Sequence, residues 1–505
     1  MRTKNTSGVQ SLVPFSLLVG AWALLALTGI TAEPPTNAPA GDFLFYNNLG
    51  NVVRVSTNDV HSSFHPSTSL GMDRQIPTPT PGMPQSDHVR KRIADSKTGS
   101  ETLQWFAATP PVLAPYLGSF DEYGNTAVQQ GALFATDPIS RGAQAAKYWI
   151  SDFGLRNIFY QSLAMVRMPD AISGDSTLEY YFATFYGKWS VFETPNGGPA
   201  GWLSVEANAQ VGLSAASREQ SPQNNLGALV NPQANVSGPN GVWLSELAWQ
   251  QSFCEGSFVL VAGQLNQANY LDVNAYANNS QSQFLNGAFV NNSVIPLPSN
   301  NLGANLQWQP ADSWYVLFGT SANNQTPGQS PFQDLGFNNW SYLLELGLTP
   351  TNLFGWGPGA YRLQPFVATV DGSTQAGVAL NIQQQLGPNS PFACFGRFGV
   401  GGSQIMLHSA QAQASVGMVM DSPMAHLGIA PRLTNDSLGC AFVWSQAVAA
   451  EEAYHENEYA GEIFYALQLT PTVRLQPDVQ VVWNAAFNPE PGPALVWQLQ
   501  LNIAW

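Results

Sequence analysis

Residues 494–505 read Ala-Leu-Val-Trp-Gln-Leu-Gln-Leu-Asn-Ile-Ala-Trp. In an extended chain Trp497, Leu499, Leu501, Ile503 and Trp505 fall on one face, and Gln498, Gln500 and Asn502 on the other. A period of two marks a strand with one apolar and one polar face. The same alternation runs through 202–213, where Leu203, Val205, Ala207, Ala209, Val211 and Leu213 alternate with Ser204, Glu206, Asn208, Gln210 and Gly212. It recurs at 242–253, 302–309, 340–348, 374–385, 437–448, 459–469 and 473–483. Weaker alternation marks 177–186, 257–265, 313–322, 361–370, 392–402 and 409–420. Short turn-rich pieces such as Pro310-Ala311-Asp312 and Thr470-Pro471-Thr472 separate many of these runs.

The polar positions carry little charge. Only 10% of the 505 residues are charged, against about 25% in an ordinary soluble domain. Gly, Asn, Gln, Ser and aromatics stand in their place, which is not the high-charge signature of disorder. One apolar run is long enough for a membrane helix, residues 11–30. Arg2 and Lys4 precede it and Thr31-Ala32 follow, so 1–32 is expected to be a secretory signal peptide cut after Ala32. Without Arg2 and Lys4 the formal net charge moves from -15 to -17, with 16 basic against 33 acidic residues. An acidic exported chain has no electrostatic affinity for nucleic acid.

Residues 33–140 are expected to form a Pro/Ser-rich, partly disordered N-terminal extension, with a periplasmic location as one reading. The stretch 66–84 is too rich in Pro, Thr, Ser and Gly to build a core. The compact basic cluster Arg90-Lys91-Arg92 follows it and reads as a solvated linker or a headgroup contact. Ala145, Trp149 and Phe153 recur every four residues, which predicts a short helix over 141–159.

The alternating part, 141–505, is expected to be an all-β antiparallel transmembrane β-barrel. Sandwiches alternate too, but three features favour a membrane. The polar positions are mostly uncharged, as a water-filled lumen allows. Trp243, Trp308, Trp314, Trp340, Trp444 and Trp483 stand near strand ends, where interfacial girdles form. The closing strand ends on Trp505, an ending similar to the signal read by the barrel-assembly machinery. Lipid satisfies no backbone polar group, so a sheet inside it has to close on itself. Fifteen strands are legible, and single-chain bacterial barrels have even numbers, so sixteen are expected, in the outer membrane of a Gram-negative-type bacterium.

Several stretches resemble the carbohydrate-selective porin family, the OprB type. These are Gly263-Gln264-Leu265, Tyr276-Ala277-Asn278-Asn279 and Gln283-Phe284-Leu285-Asn286, then Asn305-Leu306-Gln307-Trp308-Gln309-Pro310 with Trp314-Tyr315. Residues 462–469, Thr470-Pro471, Leu475-Gln476-Pro477-Asp478-Val479-Gln480 and the final strand continue the likeness. Ser151-Asp152-Phe153-Gly154-Leu155-Arg156 is similar to the family's Asp-Trp-Gly-Gly-Leu-Arg segment, without its Trp and one Gly. The resemblance covers 145–505 and implies a sixteen-stranded barrel through which small sugars diffuse passively. Its expected partners are outer-membrane lipids, small neutral sugars and, during biogenesis, the barrel-assembly machinery.

Strand parity independently places Glu206, Glu246, Glu345, Arg362, Arg397, Glu462, Arg474 and Asp478 on the inward face, as pore-lining candidates. A basic side chain facing lipid at mid-membrane costs about 2–4 kcal/mol. A neutral sugar calls for paired donors and acceptors and an aromatic platform. The stretch 266–301 offers Asp272, Asn274, Tyr276, Asn278, Gln283 and Phe284 as contacts. It either folds into the lumen or stands outside as an external loop. Cys394 and Cys440 point to lipid on strands separated by a third, and Cys254 lies in a remote turn, so no disulfide is expected. No cofactor is implied. His61 and His65 lack supporting metal ligands, and Gly174-Asp175-Ser176 reads as a turn without an assignable His partner. A barrel enzyme is therefore disfavoured; a structural or adhesive surface barrel is the alternative to a sugar pore.

Overall fold

The computed structural model describes residues 43–46, 52–55, 131–134, 137, 139 and 155–504, apart from 194–198, 255–256, 312, 324–326, 333–337, 371, 388–389, 403–409 and 449–452. The expected signal peptide, most of the extension and Trp505 lie outside the described residues. Strands β1 (Phe43–Tyr46) and β2 (Val52–Val55) pair only with each other. The barrel strands are β3 (Leu155–Arg167), β4 (Thr177–Glu193), β5 (Pro199–Gly212), β6 (Gly241–Phe253), β7 (Phe258–Leu265), β8 (Asn301–Ala311), β9 (Trp314–Ala322) and β10 (Trp340–Leu348). They continue with β11 (Gly359–Val370), β12 (Ser373–Gln385), β13 (Phe392–Val400), β14 (Ala410–Asp421), β15 (Ser437–Ala447), β16 (Asn457–Gln468), β17 (Val473–Trp483) and β18 (Pro493–Ala504). Every neighbour pair is antiparallel, and β18 closes on β3 from Trp497↔Arg167 to Ala504↔Tyr160. The sixteen-stranded closed barrel is as expected. Among the described residues no helix is long and apolar enough to cross a membrane; a barrel crosses with strands.

The sixteenth strand is β3, and it overturns part of the predicted helix. Residues 155–159 are extended and pair with β4 from Leu155↔Trp189 to Phe159↔Phe185; the rest of 141–159 lies outside the described residues. Periodicity missed β3 because most of its inward positions are apolar as well. Ile158, Tyr160, Ala164 and Val166 are buried inward, while Leu163 and Met165 are exposed outward.

Elsewhere the outward face carries large exposed apolar side chains, such as Leu306, Phe318, Leu346, Leu380, Phe398, Phe442, Ile463 and Leu499. Near one end of the barrel Phe258 stacks on Trp308 at 6.0 Å, and Trp314 meets Trp308 edge-on at 5.7 Å. Trp483 is exposed at the other end. Trp243 corrects the girdle reading: it is buried inward, lying where a Gly238 side chain would have to sit. A register shift between Glu206 and Ala207 opposite β6 is the reason. Val242 and Leu244 face out before it, and Leu247 faces out after it, so parity changes at Ser245-Glu246.

Inside the wall, aromatic rings lie over glycines of the neighbouring strand. An added Cβ would fall 2.2 Å from Tyr315 at Gly347, from Phe366 at Gly377 and from Phe395 at Gly417, and 2.3 Å from Phe464 at Gly439. The missing Cβ gives each ring a floor, and such glycines let sheets curve into barrels.

Connection lengths orient the barrel. The β5–β6, β7–β8 and β9–β10 connections (213–240, 266–300 and 323–339) leave one end, and short turns such as 469–472 leave the other. Bacterial barrels put long loops outside and short turns in the periplasm. The N-terminal end of β3 and the C-terminal end of β18 lie at the short-turn end.

Candidate functional site

Two of the long connections enter the barrel. Residues 213–240 carry two short helices, Ala215–Glu219 and Pro222–Leu226, whose N-cap hydroxyls Ser214 and Ser221 accept from Ser217 N and Asn224 N. Beyond them the chain crosses to the far wall, where the Glu458 carboxylate accepts Leu229 N at 2.6 Å and Val230 N at 3.3 Å. The Pro232 carbonyl accepts Gln480 Nε2 at 3.0 Å and Gln498 Nε2 at 2.7 Å. Gln233 Nε2 donates to Gln498 Oε1 at 3.0 Å.

The second insert, 266–300, also folds inward, which settles its two readings. Glu462 accepts Leu285 N at 2.6 Å and Asn286 N at 3.0 Å. Gln500 Nε2 donates to the Ser280 carbonyl at 2.8 Å and Gln413 Nε2 to the Ala288 carbonyl at 2.8 Å. An irregular backbone away from water needs partners for its N–H and C=O groups, and the inward carboxylates and amides of the wall supply them. Apolar packing holds it too. Phe284 lies 5.3 Å from Phe289, 5.3 Å from Phe395 and 4.8 Å from Phe464, ring centre to ring centre. Leu229, Leu271, Val294 and Ile295 share the same buried cluster with wall residues Leu317, Leu343 and Phe366. The interior is therefore not polar throughout: the inserts build an apolar core within it.

The pore-lining candidates are all buried on the inner side of the wall. Three of them, Arg397, Glu345 and Arg362, form two groups against the second insert. Arg397 Nε lies 3.0 Å from Asp272 Oδ2, Nη2 donates to the Asp272 carbonyl at 3.0 Å, and Nη1 donates to the Phe289 carbonyl at 2.5 Å. Asp272 also accepts Asn292 N at 2.7 Å and Asn381 Nδ2 at 2.7 Å. Beside it, Arg362 Nε lies 3.7 Å from Glu345, and Tyr315 Oη bridges them, donating to Glu345 at 2.6 Å and accepting from Arg362 at 3.0 Å. Gln364 Nε2 donates to Glu345 at 2.6 Å. Glu206 and Glu246 are register partners on β5 and β6. Asn269 Nδ2 donates to Glu206 at 2.6 Å and Tyr270 Oη to Glu246 at 2.6 Å. Burial first, and then Glu246, push the Tyr270 phenol well above its usual range, so it stays a donor. Asp478 accepts Gln480 Nε2 at 3.0 Å, and Arg474 Nε donates to Gln468 at 2.9 Å near the short-turn end.

The insert candidates are placed as follows. Asn274 Nδ2 donates to Asn381 Oδ1 at 2.8 Å, and Gln283 Oε1 accepts Asn278 N at 2.7 Å and Asn279 N at 3.0 Å. Asn278 Oδ1 lies 3.5 Å from Arg397 Nη2. Phe284 is wholly buried, and Tyr276 is half-buried against the same cluster. Parity missed Glu458, one residue before the alternation at 459–469, and it missed the whole first insert. The signal for the insert was the length of chain between 213 and 242. Lys188 was also missed: its Nζ sits 3.8 Å over the Trp202 ring and donates to Gln250 at 3.1 Å. The three cysteines are free; Met418 stands between Cys394 and Cys440 in register.

A family model described as carbohydrate-selective porin, OprB family, matches residues 200–448 and 371–505. Porin AaxA of Chlamydia abortus is similar, 26% identical over 267 residues, which covers 52% of this chain and 57% of that protein. Porin AaxA of Chlamydia felis is 24% identical over 274 residues, with 52% and 57% covered. The chain thus spans little more than half the length of these relatives. Among solved structures, OprB of Pseudomonas putida at high pH superimposes with a TM-score of 0.59 at 13% identity, covering 75% of this chain and 100% of that one. At that identity the likeness is one of fold.

Proposed function

The chain belongs to the carbohydrate-selective porin, OprB family, and from that premise we propose that it is an outer-membrane porin through which small neutral sugars diffuse passively. The observation that carries the reading is the amide-rich inner wall. Asn305, Gln364, Gln476 and Asn502 all face inward from the wall. An amide both donates and accepts, which suits hydroxyl groups and gives no purchase on ionic charge.

Within this reading the residues divide into two roles. Asp272, Asn274, Gln283 and Phe284 are spent on holding the second insert. Tyr276 and Asn278, half-buried, are the insert positions left to meet a sugar. Export by the N-terminal signal and insertion by the barrel-assembly machinery belong to the same proposal. The test is liposome swelling with the purified full chain. Vesicles should admit glucose faster than protein-free controls, and more readily than a singly charged organic anion of similar size. Vesicles that stay closed to glucose would sink the sugar pore and favour a structural surface barrel.

A further inference from the structure

Hydrogen bonds fix residues 131–134 and 137 to the short-turn rim of the barrel. The Gly131 carbonyl accepts Thr434 N at 3.0 Å and Asn435 N at 3.1 Å from the β14–β15 connection. Leu133 N and Phe134 N donate to the carbonyls of Gln468 and Leu469, at 2.9 and 2.8 Å. Asp137 accepts Thr472 N at 3.1 Å and Thr472 Oγ1 at 3.0 Å in the β16–β17 turn. The rim continues without a break past β14 and β13. Asp421 N donates to the Pro391 carbonyl at 2.8 Å, and Gly387 N to the Trp356 carbonyl at 2.6 Å.

This connected rim exposes apolar side chains outside the barrel strands. Phe354 is 85% and Ile429 69% exposed, and Trp356, Leu427, Leu133 and Phe134 are exposed at the same end of the barrel. Apolar exposure gathered on one rim is a candidate interaction surface. The chain N-terminal to Gly131 begins on this rim. It contains Leu103, Trp105, Phe106, Val112, Leu113, Tyr116 and Leu117 in one short stretch, with Pro110, Pro111 and Pro115 among them. Each proline removes a backbone donor, so the stretch has fewer groups to satisfy when it is covered. Apolar Pro-rich segments dock on aromatic platforms, and Phe354 and Trp356 provide one. Reach is ample. From Leu117 to Gly131 the chain spans up to about 46 Å at about 3.3 Å per residue, while the five strand spacings from β16 to β11 take about 24 Å.

We propose that residues 103–117 of this chain dock on the apolar arc of the short-turn rim, around Phe354, Trp356, Leu427 and Ile429. The strap at 131–134 and 137 is the anchored end of that contact. It brings the extension to the periplasmic mouth.

Labelling of a single rim cysteine tests it. The full chain, with Cys254→Ser, Cys394→Ala, Cys440→Ala and Ile429→Cys, is placed in lipid nanodiscs and reacted with a hydrophilic maleimide. Labelling should be slow, and should quicken about tenfold or more when Trp105, Leu113 and Tyr116 become Ser, as expected if the open state is a minor one. A barrel that keeps its heat-modifiable migration shows that the triple variant has folded. Slow labelling in both chains would mean that lipid covers the arc. Fast labelling in both would mean that nothing does. Slow labelling that quickens on dilution rather than on substitution would assign the arc to a second copy. Each of these three results overturns the proposal.

Discussion

Asp272 stands at φ +61°, a backbone region that side-chain-bearing residues seldom adopt. It turns the second insert so that one residue offers both its carboxylate and its carbonyl to Arg397. Removing the carboxylate leaves a guanidinium buried without its counter-charge, a loss of about 3–5 kcal/mol in comparable pairs. Asp272→Ala should therefore loosen the insert rather than unfold the barrel, whose ladder it does not join. Single-channel conductance in a planar bilayer is expected to rise and become noisier; unchanged conductance would show that the insert stays put without this pair. The inward side of Arg397 was legible from its alternation with Phe398 and Val400. Its partner was not. Asp272 lies in a stretch with no period, and nothing local to 266–300 tells which wall it will reach.

At the scale of the strand, what the sequence revealed depended on what lay inside. β10 faces the interior with Ser341, Leu343 and Glu345, and β17 with Arg474, Gln476, Asp478 and Gln480, so their inner faces are mostly polar and the period of two is clean. β3 faces it with Ile158, Tyr160, Ala164 and Val166, so the contrast between faces vanishes. The ring-over-glycine contacts were invisible for a similar reason: the glycine sits on one strand and the ring on the next. Gly439 tests both wall and insert at once. A Cβ there would lie 2.3 Å from Phe464 and 3.0 Å from Phe284, so both wall and insert have to shift. Gly439→Val should destabilise the barrel by about 1–3 kcal/mol, the usual cost of overpacking. Urea unfolding in detergent micelles, followed by tryptophan fluorescence, should show a lower midpoint at unchanged slope. An unaltered midpoint would mean that the rings do not depend on the gap.

For the molecule as a whole, closure, strand number and lipid face followed from alternation and from the backbone's need for partners in lipid. The filling of the interior did not, because it depends on contacts between segments hundreds of residues apart. That filling also sets the electrostatics of any passage. Asp272 is matched to Arg397 and Glu345 to Arg362, so these pairs contribute little net field. Among the described inward residues, Glu206, Glu246, Glu458, Glu462 and Asp478 then outnumber Lys188 and Arg474. An excess of acidic groups in a low-dielectric enclosure favours cations over anions. In a KCl gradient across a planar bilayer, the reversal potential should have the sign of mild cation preference. Glu206→Gln with Glu246→Gln should shrink it, since Asn269 and Tyr270 can still donate to the amide oxygens and keep the insert in place. A reversal potential of anion sign would place the conducting path away from these carboxylates, on the Arg362 and Arg397 side of the wall.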